Sequence, residues 1–366
     1  MSGARHLYVH LPFCAHRCGY CDFVTVVGRT GTHGAYVDAL LCELELERPL
    51  LDTDVETVFV GGGTPTFTDA DALEHLLAAL PAAAEVTVEA NPETITRGIA
   101  ELLSRNGVNR VSLGAQTFNT ALLDVLERHA QPADVRGAFA VLRDAGLDNI
   151  NVDLVYGIPG QSAADLERDL AEVLMLGPEH VSCYELEAKA GTRFTFAHGD
   201  ELARQADAME TYFEQVVATL TAAGYRWYET ANFCRVDARD LRSRHNLAYW
   251  EARDYVGLGI GAVSTVAGVR WKNRPSLRAY VDALAGGGTP PRDVEPLDRV
   301  TRHAERVMLG LRLDEPLDVD GLGDALDPDA LERLTMLGLV ARDGELLRLT
   351  ERGRFLGGAV TAELLA

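Results

Sequence analysis

The sequence holds no uninterrupted apolar run of the roughly 20 residues that a membrane-spanning helix needs, which argues against a helical membrane protein. It is also short of cysteine, with six in 366 residues. Three of them, Cys42, Cys183 and Cys234, are scattered with no disulfide framework, a usage that fits a reducing compartment. Positive charge is scarce as well: 34 Lys and Arg face 55 Asp and Glu, and the formal net charge of -21 repels a phosphate backbone. General nucleic-acid binding is therefore not expected. Residues Met1 to His6 pass almost at once into a strand-like run without the apolar core of a signal peptide, so the expected location is the cytoplasm. Hydrophobic residues at 47% and charged residues at 24% are ordinary for a globular chain, and the length predicts one large domain with one small one.

What is present begins at Cys14. The stretch Cys14-Ala-His-Arg-Cys18-Gly-Tyr-Cys21 follows the apolar run Leu7 to Leu11. Three cysteines spaced C-x3-C-x2-C cannot share one helical face, whereas a loop leaving a strand end can aim three thiolates at one centre. A tetrahedral zinc site takes four ligands, and a four-iron cubane likewise has four positions to fill. Three local thiolates leave one iron open to a small molecule.

Downstream, β-branched runs alternate with amphipathic ones. Val55–Val60 ends abruptly in Gly61-Gly62-Gly63-Thr64, a turn where backbone can approach a ligand closely. Strands are predicted at Glu85–Ala90, Arg110–Gly114, Asn149–Leu154 and His180–Glu185, with helices between them. The helix read over Tyr36–Leu51 takes Cys42 into the core. Polar or small residues fall at successive strand ends (the cysteine loop, Gly61 to Thr64, Glu89, Gln116, Asp153, Glu185), as they do where barrel enzymes gather their chemistry.

The cysteine motif, with Tyr20 before the third cysteine and Asp22-Phe23 after it, resembles the cluster loop of the radical S-adenosylmethionine (SAM) proteins. Within them the chain is most similar to the branch of the oxygen-independent coproporphyrinogen oxidase HemN and the haem chaperone HemW, closest to HemW. The resemblance implies an α/β fold, a partial (β/α)6 radical SAM barrel with a small C-terminal winged-helix-like α+β domain. It implies a [4Fe-4S] cluster on Cys14, Cys18 and Cys21, whose open iron chelates SAM and whose electron splits the sulfonium. It assigns SAM contacts to Tyr8, Gly62, Gly63, Thr64 and Glu89, with Gln116, Arg128 and Asp153 further along the rim and Tyr20 near the nucleoside. Read without the resemblance, Glu89 before Asn91-Pro92 also suits a helix N-terminus.

A second motif, His245-Asn246-Leu-Ala-Tyr249-Trp250, looks like a signature of the HemW branch and makes His245 the expected haem ligand, with the aromatics stacking on the porphyrin. It sits in the one basic stretch, Arg235 to Arg274, where eight Lys or Arg meet four acids. That stretch reads either as a solvated face or as the seat of an anionic ligand. The expected organisation is a barrel over 1–223, a flanking segment over 224–284 and a C-terminal unit over 285–366, joined through a linker at Asp282–Pro291. Beyond the linker, helices at 298–311, 318–325 and 329–337 precede a hairpin about Asp343-Gly344.

Two departures from the oxidase pattern rank the expected functions. Phe23 stands where the oxidase has a further cysteine, and thirteen residues precede Cys14 where the oxidase has a long segment. Haem chaperone is expected first, coproporphyrinogen oxidase second and radical methyltransferase third. Haem, haem-accepting proteins and, where radical chemistry occurs, an electron donor are the implied partners. Val263-Ser264 departs from the HemW tendency toward histidine there, which leaves His245 to carry the haem argument.

Overall fold

The computed structural model describes residues 3–189 and 192–366. Six strands and their helices alternate as expected: β1 (His6–Leu11), α1 (His33–Glu47), β2 (Thr57–Gly62), α2 (Ala70–Ala79), β3 (Glu85–Ala90), α3 (Arg97–Arg105), β4 (Arg110–Gln116), α4 (Thr120–Val125), α5 (Pro132–Asp144), β5 (Ile150–Tyr156), α6 (Ala163–Leu176) and β6 (His180–Glu185). Each pairs in parallel with the next, as short strands returned by helical crossovers must. The aliphatic residues of these strands are buried, among them Leu7, Val9, Val58, Val60, Val88, Val111 and Val152, since helices cover one side and the curved sheet encloses the other.

Six more strands extend this sheet. After α7 (Arg193–Gln205) and α8 (Met209–Ala222), strands β7 (Tyr225–Glu229) and β8 (Asn232–Arg235) form an antiparallel hairpin against β6. After α9 (Arg244–Trp250), strand β9 (Tyr255–Leu258) adds in parallel to the free side of β1. Antiparallel β10 (Val263–Val266), β11 (Val269–Asn273) and, beyond α10 (Leu277–Ala285), β12 (Arg292–Pro296) follow. The spatial order is β12-β11-β10-β9-β1-β2-β3-β4-β5-β6-β8-β7, and its two end strands do not pair, so the barrel is open. Asp282–Pro291 is thus not a linker: it is the last turn of α10 and a short return into β12.

The C-terminal unit has its own core, built from Val307, Leu311, Leu317, Leu334, Leu347, Leu349 and Leu364. It runs α11 (Arg299–Gly310), a two-residue strand β13 (Leu317–Asp318), α12 (Pro328–Met336), the hairpin β14 (Val340–Asp343) and β15 (Leu346–Leu349), then α13 (Glu351–Phe355) and α14 (Gly357–Leu364). The expected helix over 318–325 is a strand and a 3-10 turn, because Gly321 takes a positive φ of 74° that no helix accommodates.

This unit docks through charge. Arg226 on β7 grips Asp314 with hydrogen bonds of 2.7 and 2.9 Å, Arg312 donates to the fully buried Glu229 at 2.8 Å, and Arg354 lies 3.6 Å over the Trp227 ring. Breaking a buried pair leaves a stranded charge, at a cost of about 3–5 kcal/mol. Arg312 is partly exposed, so Arg312→Ala is expected to cost about 2 kcal/mol, whereas Glu229→Gln with Arg312→Met should recover most of it. Thermal unfolding of the two variants checks this.

α1 is oriented by an acid rather than by its apolar residues alone. Glu43 is fully buried and accepts from the Gly259 amide at 2.8 Å and the Asn273 side chain at 2.6 Å. Turning Glu43 and Glu47 inward puts Cys42 on the solvent face, contrary to the core position expected for it.

Candidate cofactor-binding site at the strand ends

The cysteine loop leaves β1 through a two-residue strand, Phe13–Cys14, that pairs with Val26–Val27 and closes the loop at its base. The loop's tip is held against the segment after α4: the Gly19 amide donates to Leu126 O at 3.3 Å, and the His16 ring bonds Glu127 O at 2.9 Å. Below it lies a cavity of about 530 Å³ over the C-terminal strand ends. Cys14, Cys18, Cys21, Tyr20, Gly62, Gly63, Thr64, Glu89, Gln116, Arg128 and Asp153 all line it, so residues from four strands and the loop meet in one place.

All three thiols are free. Two of them face hydrogen-bond donors, Thr64 Oγ1 at 3.7 Å from Cys14 Sγ and Arg128 Nη1 at 3.8 Å from Cys18 Sγ, an environment suited to anionic sulfur. Burial nevertheless pushes the Cys14 thiol up to about 11, and Cys21 upward as well. At that value the Cys14 thiol stays protonated at neutral pH until a metal cation displaces the proton. Among the described residues no three His, Cys, Asp or Glu side chains converge closely enough for a single metal ion. Three free thiols from one loop over one cavity, two of them beside hydrogen-bond donors, fit a multi-iron cluster in which each cysteine binds a different iron.

Arg128 is buried and braced rather than ion-paired. Its Nη2 donates to Gly114 O at 2.8 Å and to Asn91 Oδ1 at 2.9 Å, while Asn91 Nδ2 donates to Thr64 Oγ1 at 3.0 Å. Asp153 accepts from Ser112 at 3.0 Å and Asn151 at 2.7 Å, yet burial raises it above the ordinary carboxylate value. Glu89 is an unpaired acid on this rim, not a helix cap: its carboxylate accepts from the Gly62 amide at 3.0 Å, and burial, with repulsion from Asp153, pushes it up to about 7. Gln116 ends β4 at a positive φ of 68°, a left-handed kink that breaks the register with β5.

The glycine turn, which lines the cavity, also has a packing role. A Cβ on Gly62, whose φ is 112°, would meet the His10 ring at 2.5 Å, and one on Gly63 would meet the Pro12 carbonyl at 2.6 Å. These glycines let β2 pack against β1 and the cysteine loop, and thereby free the Gly62 amide for Glu89. A Gly62→Val substitution is consequently expected to lower the melting temperature and iron retention together, rather than SAM affinity alone, which thermal unfolding alongside iron analysis checks.

Two expected site residues lie outside this cavity. Tyr8 lines an adjoining cavity of about 270 Å³ with His10, Phe23, Tyr249, Tyr255 and Lys272, and its hydroxyl bonds His10 Nδ1 at 3.0 Å. His245 is 1% exposed and lines neither cavity. Its Nδ1 shares a hydrogen bond with Thr57 Oγ1 at 2.8 Å, its Nε2 with Tyr249 Oη at 3.0 Å, and its ring stacks on Phe59. Burial, followed by the fields of His6 and Arg110, lowers its pKa to about 3. With both nitrogens engaged, His245 ties α9 to β2, and binding an iron would require it to give up one of these hydrogen bonds. The motif instead gives Asn246 to the main cavity and Tyr249 to the adjoining one. Two of the basic residues around it are committed: Arg242 pairs with Asp240 and Glu315, and Arg253 with Glu251 and Glu56.

An open parallel barrel whose cysteine loop overhangs a polar cavity at the strand ends defines a radical SAM protein. The model of the radical SAM superfamily matches residues 8–173, and that of the HemN C-terminal domain matches residues 297–356. Heme chaperone HemW of Mycobacterium tuberculosis is 37% identical over 98% of this chain and 94% of its own length. Heme chaperone HemW of Bacillus subtilis is 33% identical over 98% of both. The fold is that of Escherichia coli coproporphyrinogen III oxidase (HemN), with a TM-score of 0.81 over 99% of this chain and 90% of that one at 24% identity. The chain belongs to the HemW family of the radical SAM superfamily. No helix among the described residues is long and apolar enough to cross a membrane.

Proposed function

We propose that this protein is a cytoplasmic haem chaperone, which binds haem and passes it to haem-requiring proteins on a radical SAM scaffold. The observation that carries the reading is the match to relatives named heme chaperone HemW along nearly the whole chain, cysteine loop, α9 motif and C-terminal unit included. In this reading Cys14, Cys18 and Cys21 hold a [4Fe-4S] cluster, and Glu89, Arg128, Asp153, Gln116 and Tyr20 enclose SAM beneath it. When bound, the cluster supplies an open iron for chelation and an electron for the sulfonium. The chain's own contribution is to exclude water beneath the loop, to hold a cation against Glu89 and to keep Arg128 braced beside Cys18.

The oxidase reading predicts coproporphyrinogen turnover, and the chaperone reading predicts none. Anaerobic reconstitution followed by separate assays of haem binding, SAM cleavage and coproporphyrinogen decarboxylation separates them. Tight haem binding without decarboxylation is the expected result. Decarboxylation, or no haem binding at all, would overturn the proposal.

A further inference from the structure

Arg110 opens β4, and alternate residues of that strand, Arg110, Ser112, Gly114 and Gln116, all face the cavity. Strand geometry puts the Arg110 Cα about 13 Å below that of Gly114, at the end of the cavity away from the cysteine loop. The side chain is 2% exposed. It forms no ion pair and donates no hydrogen bond to another described residue, and its Nε is buried without a partner. A buried guanidinium in that state is costly unless an anion or solvent in the cavity meets it.

Against the rise that burial causes, the charge of Arg110 lowers both nearby acids, Glu89 and Asp153, but neither pairs with it directly. Asp153 is taken by Ser112 and Asn151, Glu89 by the Gly62 amide, and neither lies within ion-pair distance of Arg110. Other cations lining the cavity have partners: Arg128 through Gly114 and Asn91, Lys189 with Asp22 at 3.6 Å, and Arg17 with Cys21 O at 3.0 Å. Next to Arg110 in register, Thr87 also buries a hydroxyl oxygen without a partner. Asn246, brought by α9 from the motif that the haem reading singled out, lines the same cavity.

We infer that Arg110, with Asn246 beside the same cavity, is a carboxylate receptor at the cavity floor and takes a propionate of bound haem. The inference rests on the haem reading above and adds where the ligand's acid group goes. Planar, always charged and presenting a fork of donors, an arginine there suits a carboxylate in a way that a lysine does not.

The test compares haem with haem dimethyl ester, whose propionates carry no charge, by titration into reconstituted parent, Arg110→Met and Arg110→Lys, following the Soret band. Iron content and SAM binding report on the integrity of each variant. The parent is expected to prefer the diacid by roughly tenfold or more, Arg110→Met to lose that preference, and Arg110→Lys to keep part of it. Equal affinity of the parent for acid and ester, or an undiminished preference in Arg110→Met, would overturn the inference while leaving the chaperone reading intact. Weakened SAM binding with unchanged haem binding would assign the guanidinium to SAM and overturn it too. A parent that binds neither porphyrin defeats both readings. If Arg110→Met fails to hold iron, the parent's acid-against-ester ratio together with Arg110→Lys decides.

Discussion

Cys18→Ala is expected to emerge from anaerobic reconstitution with almost no iron and none of the visible absorption of a cluster, while Cys42→Ala keeps the full complement. Cys18 is one of only three thiols on the cavity, and the described residues bring no other cysteine to it. With one sulfur gone, two remain, and a four-iron cluster held by three protein thiolates loses one of its anchors with no other thiol on the cavity to replace it. The Arg128 Nη1 contact to Cys18 Sγ at 3.8 Å would be lost as well. Cys42 faces solvent on the far side of α1, so its loss touches neither cluster nor core. Iron and sulfide analysis with circular dichroism checks the pair, since a merely unfolded Cys18→Ala would show in the latter. Iron retained by folded Cys18→Ala would remove the cluster from this loop.

The parts of this site that could be read from sequence are those whose signals are local. The cysteine spacing, the strand running into Gly61-Gly62-Gly63 and the polar residue ending each strand are patterns within about ten residues, and the cavity assembles from them. What escaped depends on partners far along the chain. The structural bond of His245 has no local signal because its partner, Thr57, lies 188 positions away. The burial of Glu43 has no local signal because its partners Gly259 and Asn273 are more than 200 positions distant, and the placing of Cys42 in the core fails for the same reason. Arg110, at a strand start, carries no pattern, and only its burial without a partner marks it.

Glu89→Gln is expected to weaken SAM binding by roughly 10- to 100-fold, the value of a hydrogen bond or close contact to a charged group, and to abolish its pH dependence. Gln keeps an oxygen for the Gly62 amide, so the turn should stand and the variant isolates the charge. In the free protein burial holds Glu89 near 7, so the carboxylate is largely neutral at pH 6 and largely ionised above pH 7.5. A cationic ligand, as SAM is at its sulfonium, favours the ionised form, and its affinity for the parent should climb through this interval and release a proton on binding below it. The sign for stability is opposite. Because the folded pKa is raised above the unfolded one, Glu89's contribution to the free protein is fully present below its ordinary value of 4.5 and is lost as pH rises through about 7. SAM should therefore raise the melting temperature more at pH 7.5 than at pH 6 in the parent, and by an equal, smaller amount at both in Glu89→Gln. Calorimetry at the two pH values in buffers of different ionisation enthalpy measures both the affinity and the proton count. An unchanged affinity profile in Glu89→Gln would mean that the acid serves only to hold the Gly62 amide, and that SAM finds its counter-charge elsewhere on the rim.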